Sequence, residues 1–171
     1  MKTSIKVLTF LVAATTIVSC GSETKQEEKK DTIATATTTT EEAPAAATTE
    51  LVLAGNDQMK YSTNELKAKA GTPIKLTFKH IGTIGKEAMG HNVVILKPGT
   101  DAAAYAAKAL EAKATDYIPA SESASVIAHT KLLGGGEEDV IEFTIAEKGN
   151  YEYICTFPGH VGLMKGVLVI E

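Results

Sequence analysis

The chain has 171 residues, 44% of them hydrophobic, which is room for one domain with tails. Its formal net charge is −4 and its 17 basic residues are all lysine, which excludes the arginine-bearing basic patch of a nucleic-acid binder. There are two cysteines and no tryptophan, and the cysteines fall in different parts of the chain, so a disulfide framework is excluded too.

Met1-Lys2-Thr3-Ser4-Ile5-Lys6 is a short basic opening, and Val7–Val18 is a mostly apolar run. The run is too short to span a membrane and fits the core of an export signal. It ends at Ile17-Val18-Ser19-Cys20-Gly21, which resembles the cleavage box of bacterial lipoproteins. The expectation is a signal peptide over 1–19 and acylation at Cys20. That would place the protein in the periplasm or cell envelope, anchored to a membrane through Cys20. Stable anchoring takes more than one acyl chain.

From residue 20 to Glu50 the chain is Thr, Ala, Glu and Lys, with Ile33 its one large aliphatic residue. Such a segment cannot bury enough to offset its ordering entropy and reads as a disordered tether. At that length its r.m.s. span is on the order of 30 Å.

Residues 51–171 read as a single domain with a period of two. Ile74, Leu76, Phe78 and His80 alternate with Lys75, Thr77 and Lys79, a half-buried strand. Val93–Leu96 is continuous and apolar, a strand covered on both sides. Ile141, Phe143 and Ile145 alternate with Glu142 and Thr144, while Tyr151, Tyr153 and Cys155 share a face. Val167–Ile170 is a last strand; Leu51–Ala54 and Glu65–Ala70 are weaker ones. Turn signals such as Pro98-Gly99 and Gly134-Gly135-Gly136 separate them. Asp101–Ala114 is built of strong helix formers, with Thr100 or Asp101 as N-cap. Its thin apolar face, Leu110 with alanines and Tyr105, suits a flap on the outside. Short strands at this spacing predict an all-β, Greek-key β-sandwich with about eight strands and one external helix.

The chemistry gathers in Cys155-Thr156-Phe157-Pro158-Gly159-His160-Val161-Gly162-Leu163-Met164-Lys165-Gly166. A thiol, an imidazole and a thioether share one loop between two strands, and His91 stands at the start of another strand. Each alone reads as inert: a buried thiol, a loop histidine, a gap-filling methionine. Together they are the donor set of a blue-copper site, Cys and two His with a distant Met. Structural zinc wants four strong ligands. Asn92, next to His91, is placed to bond the thiolate or to tie the ligand loop to the sheet. Gly90, having no side chain, offers a carbonyl that can come close to the ion.

Cys155–His160 followed by Leu163-Met164-Lys165-Gly166 resembles the ligand loop of the azurins, and Met89-Gly90-His91-Asn92 resembles their other ligand segment. Gly55-Asn56-Asp57-Gln58-Met59 and Val126–Leu132 extend the likeness over essentially all of 51–171. The resemblance implies a cupredoxin sandwich holding one type 1 copper per chain, ligated by His91, Cys155 and His160, with Met164 and the Gly90 carbonyl as weak axial groups. It implies Phe157 beside the site, and an edge of His160 reaching the surface. It also implies an apolar docking patch of Met59, Met89, Phe157, Pro158 and Leu163. His80 would be a buried histidine near the site; His129 reads as a surface residue. The chain departs from azurins in lacking a disulfide within the domain, in having Val93 where a core Trp is often found, and in its lipid anchor.

The function expected is an electron shuttle between exported or membrane redox proteins, such as a cytochrome and a terminal reductase or oxidase, acting as a monomer. An enzyme is not expected. A second copper would need several more histidines, a dinuclear centre a second Cys in the loop, and four ligands leave no open position. The alternative is copper buffering or delivery, which favours exposed, exchangeable ligands.

Overall fold

The computed structural model describes residues 47–171. The expected signal peptide, Cys20 and the tether before Ala47 lie outside the described residues. Two sheets face each other. The four-stranded sheet has the order β2-β1-β4-β7, formed by β1 (Thr49–Asn56), β2 (Lys60–Tyr61), β4 (Pro73–His80) and β7 (Glu138–Thr144). The five-stranded sheet has the order β3-β9-β8-β5-β6, formed by β3 (Glu65–Ala68), β5 (Val94–Leu96), β6 (Val126–His129), β8 (Gly149–Ile154) and β9 (Lys165–Ile170). Most pairs are antiparallel; β1–β4 and β3–β9 are parallel, where the chain has crossed between sheets. This is the expected Greek-key sandwich, with nine strands if the two-residue β2 is counted.

Period-two patterning sets the core. Leu53, Ile74, Leu76 and Phe78 from one sheet meet Val93, Ile95, Tyr151, Tyr153 and Leu168 from the other. The run at 93–96 serves two faces. Val93 and Ile95 enter the sandwich, whereas Val94 and Leu96, with Ile154, point outward beneath α2 (Ala102–Ala109). A strand sandwiched in this way has no polar side, which is why the sequence there does not alternate.

Helix α2 is shorter than the Asp101–Ala114 expected. Asp101 is the N-cap, accepting from the amides of Ala103 and Ala104 at 2.9 and 3.0 Å. Its apolar anchor is Tyr105 with Ala106 and Ala109; Leu110, expected as the main contact, is 53% exposed. A short second helix, α1 (Lys86–Met89), stands before Gly90. Four residues are too few to show a helical period. Thr49 and Glu50, read as the end of the tether, are the first residues of β1, because they pair with Ile74 and Lys75 at the start of β4.

Candidate metal centre

One end of the sandwich collects the chemistry. β8 delivers Cys155 just past its last residue, and the chain then loops back to begin β9 at Lys165. The loop is closed by its own backbone. Cys155 N–H donates to Met164 O at 2.9 Å, and the amides of Leu163 and Met164 donate to His160 O. Cys155 and Met164 are fully buried and His160 is 3% exposed, so the expected surface edge of His160 is a sliver. His91 comes from the other side, pinned in an isolated bridge to Leu133 by hydrogen bonds of 3.0 and 2.8 Å.

His91, Cys155 and His160 form the one cluster of potential metal ligands among the described residues, with ligand atoms all within 4.8 Å of one another. His91 Nδ1 lies 3.2 Å from His160 Nδ1, which lies 3.7 Å from Cys155 Sγ. A trigonal ion about 2.0–2.3 Å from each donor would hold nitrogens and sulfur roughly 3.5–3.7 Å apart, so the spacing fits one ion. The thioether arm reaches the same place: a Cβ on Gly55 would sit 3.1 Å from His91 Cδ2 and 3.3 Å from Met164 Cε. Soft sulfur with two imidazoles is a type 1 copper donor set.

Tautomers follow from carbonyl partners, which only accept. His91 Nε2 bonds Asn56 O at 2.8 Å, so it carries the proton and Nδ1 is a bare lone pair facing the centre. The Gly90 carbonyl also bears on this imidazole. Gly90 is needed for space, not conformation. Its φ is −69°, but a Cβ there would lie 2.6 Å from Lys86 O. His80 is buried and stacks on His91 at 4.4 Å, with Nε2 donating to Met89 O at 2.8 Å and Nδ1 accepting from Gly82 N–H. It is the hydrogen-bonded core histidine the sequence suggested, and it forms the wall behind a ligand. His129 is exposed, as expected.

Asn92 ties the two ligand segments. Its Nδ2 donates to Thr156 Oγ1 at 2.8 Å and to Asp116 O at 2.9 Å, and its Oδ1 accepts from Thr156 N–H at 2.9 Å. Of the two roles open to it, the side chain takes the tie. The backbone N–H of Asn92, with that of Phe157, faces the sulfur. Phe157 packs its ring 4.7 Å from His160 and edge-on to Tyr117 at 5.4 Å.

Burial shapes the charges. It pushes the Cys155 thiol up to about 11, with the amides of Asn92 and Phe157 pulling the other way. It also takes His160 down to about 4, helped by His91 and His80, and lowers His91. Without a cation the centre is therefore neutral near pH 7, and a cation entering it must displace the thiol proton.

The expected docking residues ride on the segments that carry or anchor ligands. Met59, Met89 and Phe157 are half-buried, Pro158 is exposed, and Leu163 is 64% exposed. Ile81 at 64% and Ile84 at 39% add exposed apolar surface that the sequence reading passed over. They lie in the loop bonded to Asp57, whose carboxylate accepts from the amides of Thr83 and Ile84. The sequence also missed Gly55 as the floor, the Asn56 carbonyl and the Tyr61 hydroxyl. An apolar pair in an otherwise polar loop was the only available signal for any of them.

Comparison with known proteins agrees with this geometry. The family model described as copper binding proteins, plastocyanin/azurin family, matches residues 47–171. Azurin-2 of Alcaligenes xylosoxydans xylosoxydans is 42% identical over 124 residues, 70% of this chain and 95% of that protein. Outer membrane protein H.8 of Neisseria gonorrhoeae is 41% identical over 118 residues, 67% of this chain and 63% of the relative. Among solved structures, dithionite-reduced auracyanin of Roseiflexus castenholzii matches with a TM-score of 0.64 at 35% identity, over 74% of this chain and 99% of that one.

Proposed function

The chain belongs to the plastocyanin/azurin family of copper-binding proteins, and from that premise we propose that His91, Cys155 and His160 hold its copper, with Met164 and the Gly90 carbonyl as weak axial groups. The protein is a copper-binding electron-transfer protein and not an enzyme. The observation that carries the ligand reading is the convergence of two Nδ1 atoms and one Sγ, all buried, at 3.2 and 3.7 Å. Bound copper supplies one-electron exchange between two valences.

The residues supply the rest. Asn56 O fixes the His91 tautomer, Asn92 locks the two ligand segments together, and the sandwich holds both in one place whatever the charge at the centre. A site that does not rearrange has little to reorganise when an electron moves. Full burial of Cys155, His91 and Met164 also weighs against buffering or delivery, which needs ligands that exchange. Met59, Met89, Phe157, Pro158 and Leu163 serve as the contact surface for redox partners. Such encounters are brief, and a modest apolar patch suffices. A cell-envelope location is supported by the printed name of the Neisseria relative, an outer membrane protein, and a lipid anchor at Cys20 by the sequence box.

Cys155→Ser decides the ligand reading. The oxidised wild-type protein should be intensely blue from thiolate-to-metal charge transfer and the variant colourless. Colour surviving in the variant would refute the assignment. Cyclic voltammetry then separates shuttle from buffer: a shuttle gives a fast, reversible one-electron wave with no loss of metal over repeated cycles.

A further inference from the structure

We propose that Asp57 is a positioning residue of the metal centre, acting through the Asn56 carbonyl. Its carboxylate anchors the turn between β1 and β2, so that Asn56 O stays on the Nε2 proton of His91. The inference rests on the ligand reading above.

Asn56 O and Asp57 N belong to one planar peptide, so whatever fixes Asp57 also aims that carbonyl. The turn shapes itself. Met59 N–H donates to Asn56 O at 3.1 Å, and the amides of Gln58 and Lys60 donate to Asn56 Oδ1 at 3.0 and 3.3 Å. None of these bonds leaves the turn, and the pairing of β1 with β4 stops at Gly55. Among the described residues, 56–60 is hydrogen-bonded to the rest of the molecule at two places. One is the 2.8 Å bond between His91 Nε2 and Asn56 O. The other is Asp57. Its Oδ2 accepts from Thr83 N–H at 2.8 Å and from Thr83 Oγ1 at 3.2 Å, and its Oδ1 accepts from Ile84 N–H at 3.3 Å.

The segment that Asp57 grips is itself held. Ile81 N–H donates to Gly55 O at 2.8 Å, and Gly135 N–H donates to Ile84 O at 2.9 Å. Gly135 packs so closely that a Cβ there would lie 2.6 Å from the Thr83 carbonyl carbon. Gly82 leaves room for the grip, since a Cβ on it would overlap Asp57 Oδ1. A carbonyl held on Nε2–H fixes the His91 ring and makes Nδ1 a stronger donor, which favours the higher valence of a bound metal. Losing the anchor should free the ring proton to exchange and raise the reduction potential.

Two variants of the full chain test this. Asp57→Ala removes the anchor, and Gly82→Ala displaces it with the carboxylate charge still present. The control is Asp101→Ala, which removes a carboxylate that also accepts from two backbone amides but caps α2. Two quantities are read: exchange of the His91 Nε2 proton in the metal-free protein by NMR, and the reduction potential of the copper-loaded protein. Asp57→Ala and Gly82→Ala should each quicken the exchange by roughly five- to tenfold, the worth of one hydrogen bond, and raise the potential. Asp101→Ala should leave the exchange unchanged. Unchanged exchange in Asp57→Ala overturns the proposal even if the potential rises, because loss of a negative charge raises it unaided. A control that quickens exchange as far overturns it too. Faster exchange with no rise in the potential of Gly82→Ala overturns the step from carbonyl to metal. If Asp57→Ala does not fold, Gly82→Ala is decided by the same readings. If wild-type protein fails to turn blue with copper, the ligand reading falls, and the exchange arm still decides whether Asp57 holds the carbonyl on His91.

Discussion

At the scale of single residues, the centre is set by what surrounds the ligands as much as by the ligands. Met164 is fully buried, with its Cε packed against Gly55. Met164→Leu should therefore keep copper and shift the potential, because a thioether is a weak donor whose loss tunes and does not empty the site. Loss of all copper, measured by metal analysis, would contradict this. His160 gives a pH dependence of known sign in the metal-free protein. Burial, with His91 and His80 beside it, holds His160 near 4, below the ordinary 6.5. Between those values the unfolded chain binds a proton that the folded protein refuses, so stability falls as pH drops through the window. The urea midpoint of metal-free protein should fall between pH 6.5 and 4, by up to about 3 kcal/mol of stability. A flat midpoint would mean that His160 is more open to water than its 3% exposure indicates.

At the scale of elements, α2 and the ligand loop carry different loads. α2 shields Val94, Leu96 and Ile154 on the outer face of the five-stranded sheet, anchored by Tyr105 and capped by Asp101. Asp101→Ala should cost about 1 kcal/mol of stability, as the loss of an N-cap does. The absorption spectrum should not change, since no ligand comes from α2; thermal melting and visible absorbance check the two halves of that statement. The composition of 101–114 announced a helix because Ala, Lys, Glu and Leu favour one regardless of context. It misjudged the buried face. Leu110 is the larger aliphatic residue, but the chain leaves α2 before Leu110 can turn inward, and it is Tyr105 that meets the sheet.

At the scale of the whole molecule, the proposed docking surface and the proposed anchor can be tested apart. Leu163→Lys should slow electron exchange with redox partners and leave the spectrum alone, because Leu163 is exposed and adjoins the site without entering it. Stopped-flow mixing with a partner protein checks this, and an unchanged rate would remove Leu163 from the docking surface. Cys20→Ser should move the protein from the membrane fraction to the soluble fraction of cells while the soluble form stays blue. Unchanged fractionation would argue against the anchor. The sequence by itself determined the fold class and the donor set. Period-two burial and turn residues are local signals, and a thiol, an imidazole and a thioether in one loop declare their chemistry without help. Only the tertiary structure decided what surrounds that set: Gly55 beneath it, His80 stacked behind His91, the Asn56 carbonyl fixing a tautomer and the Tyr61 hydroxyl on Asn92. Backbone carbonyls and glycines carry no side-chain signal, and partners as far apart in the chain as Asn56 and His91 meet only when the two sheets close on each other.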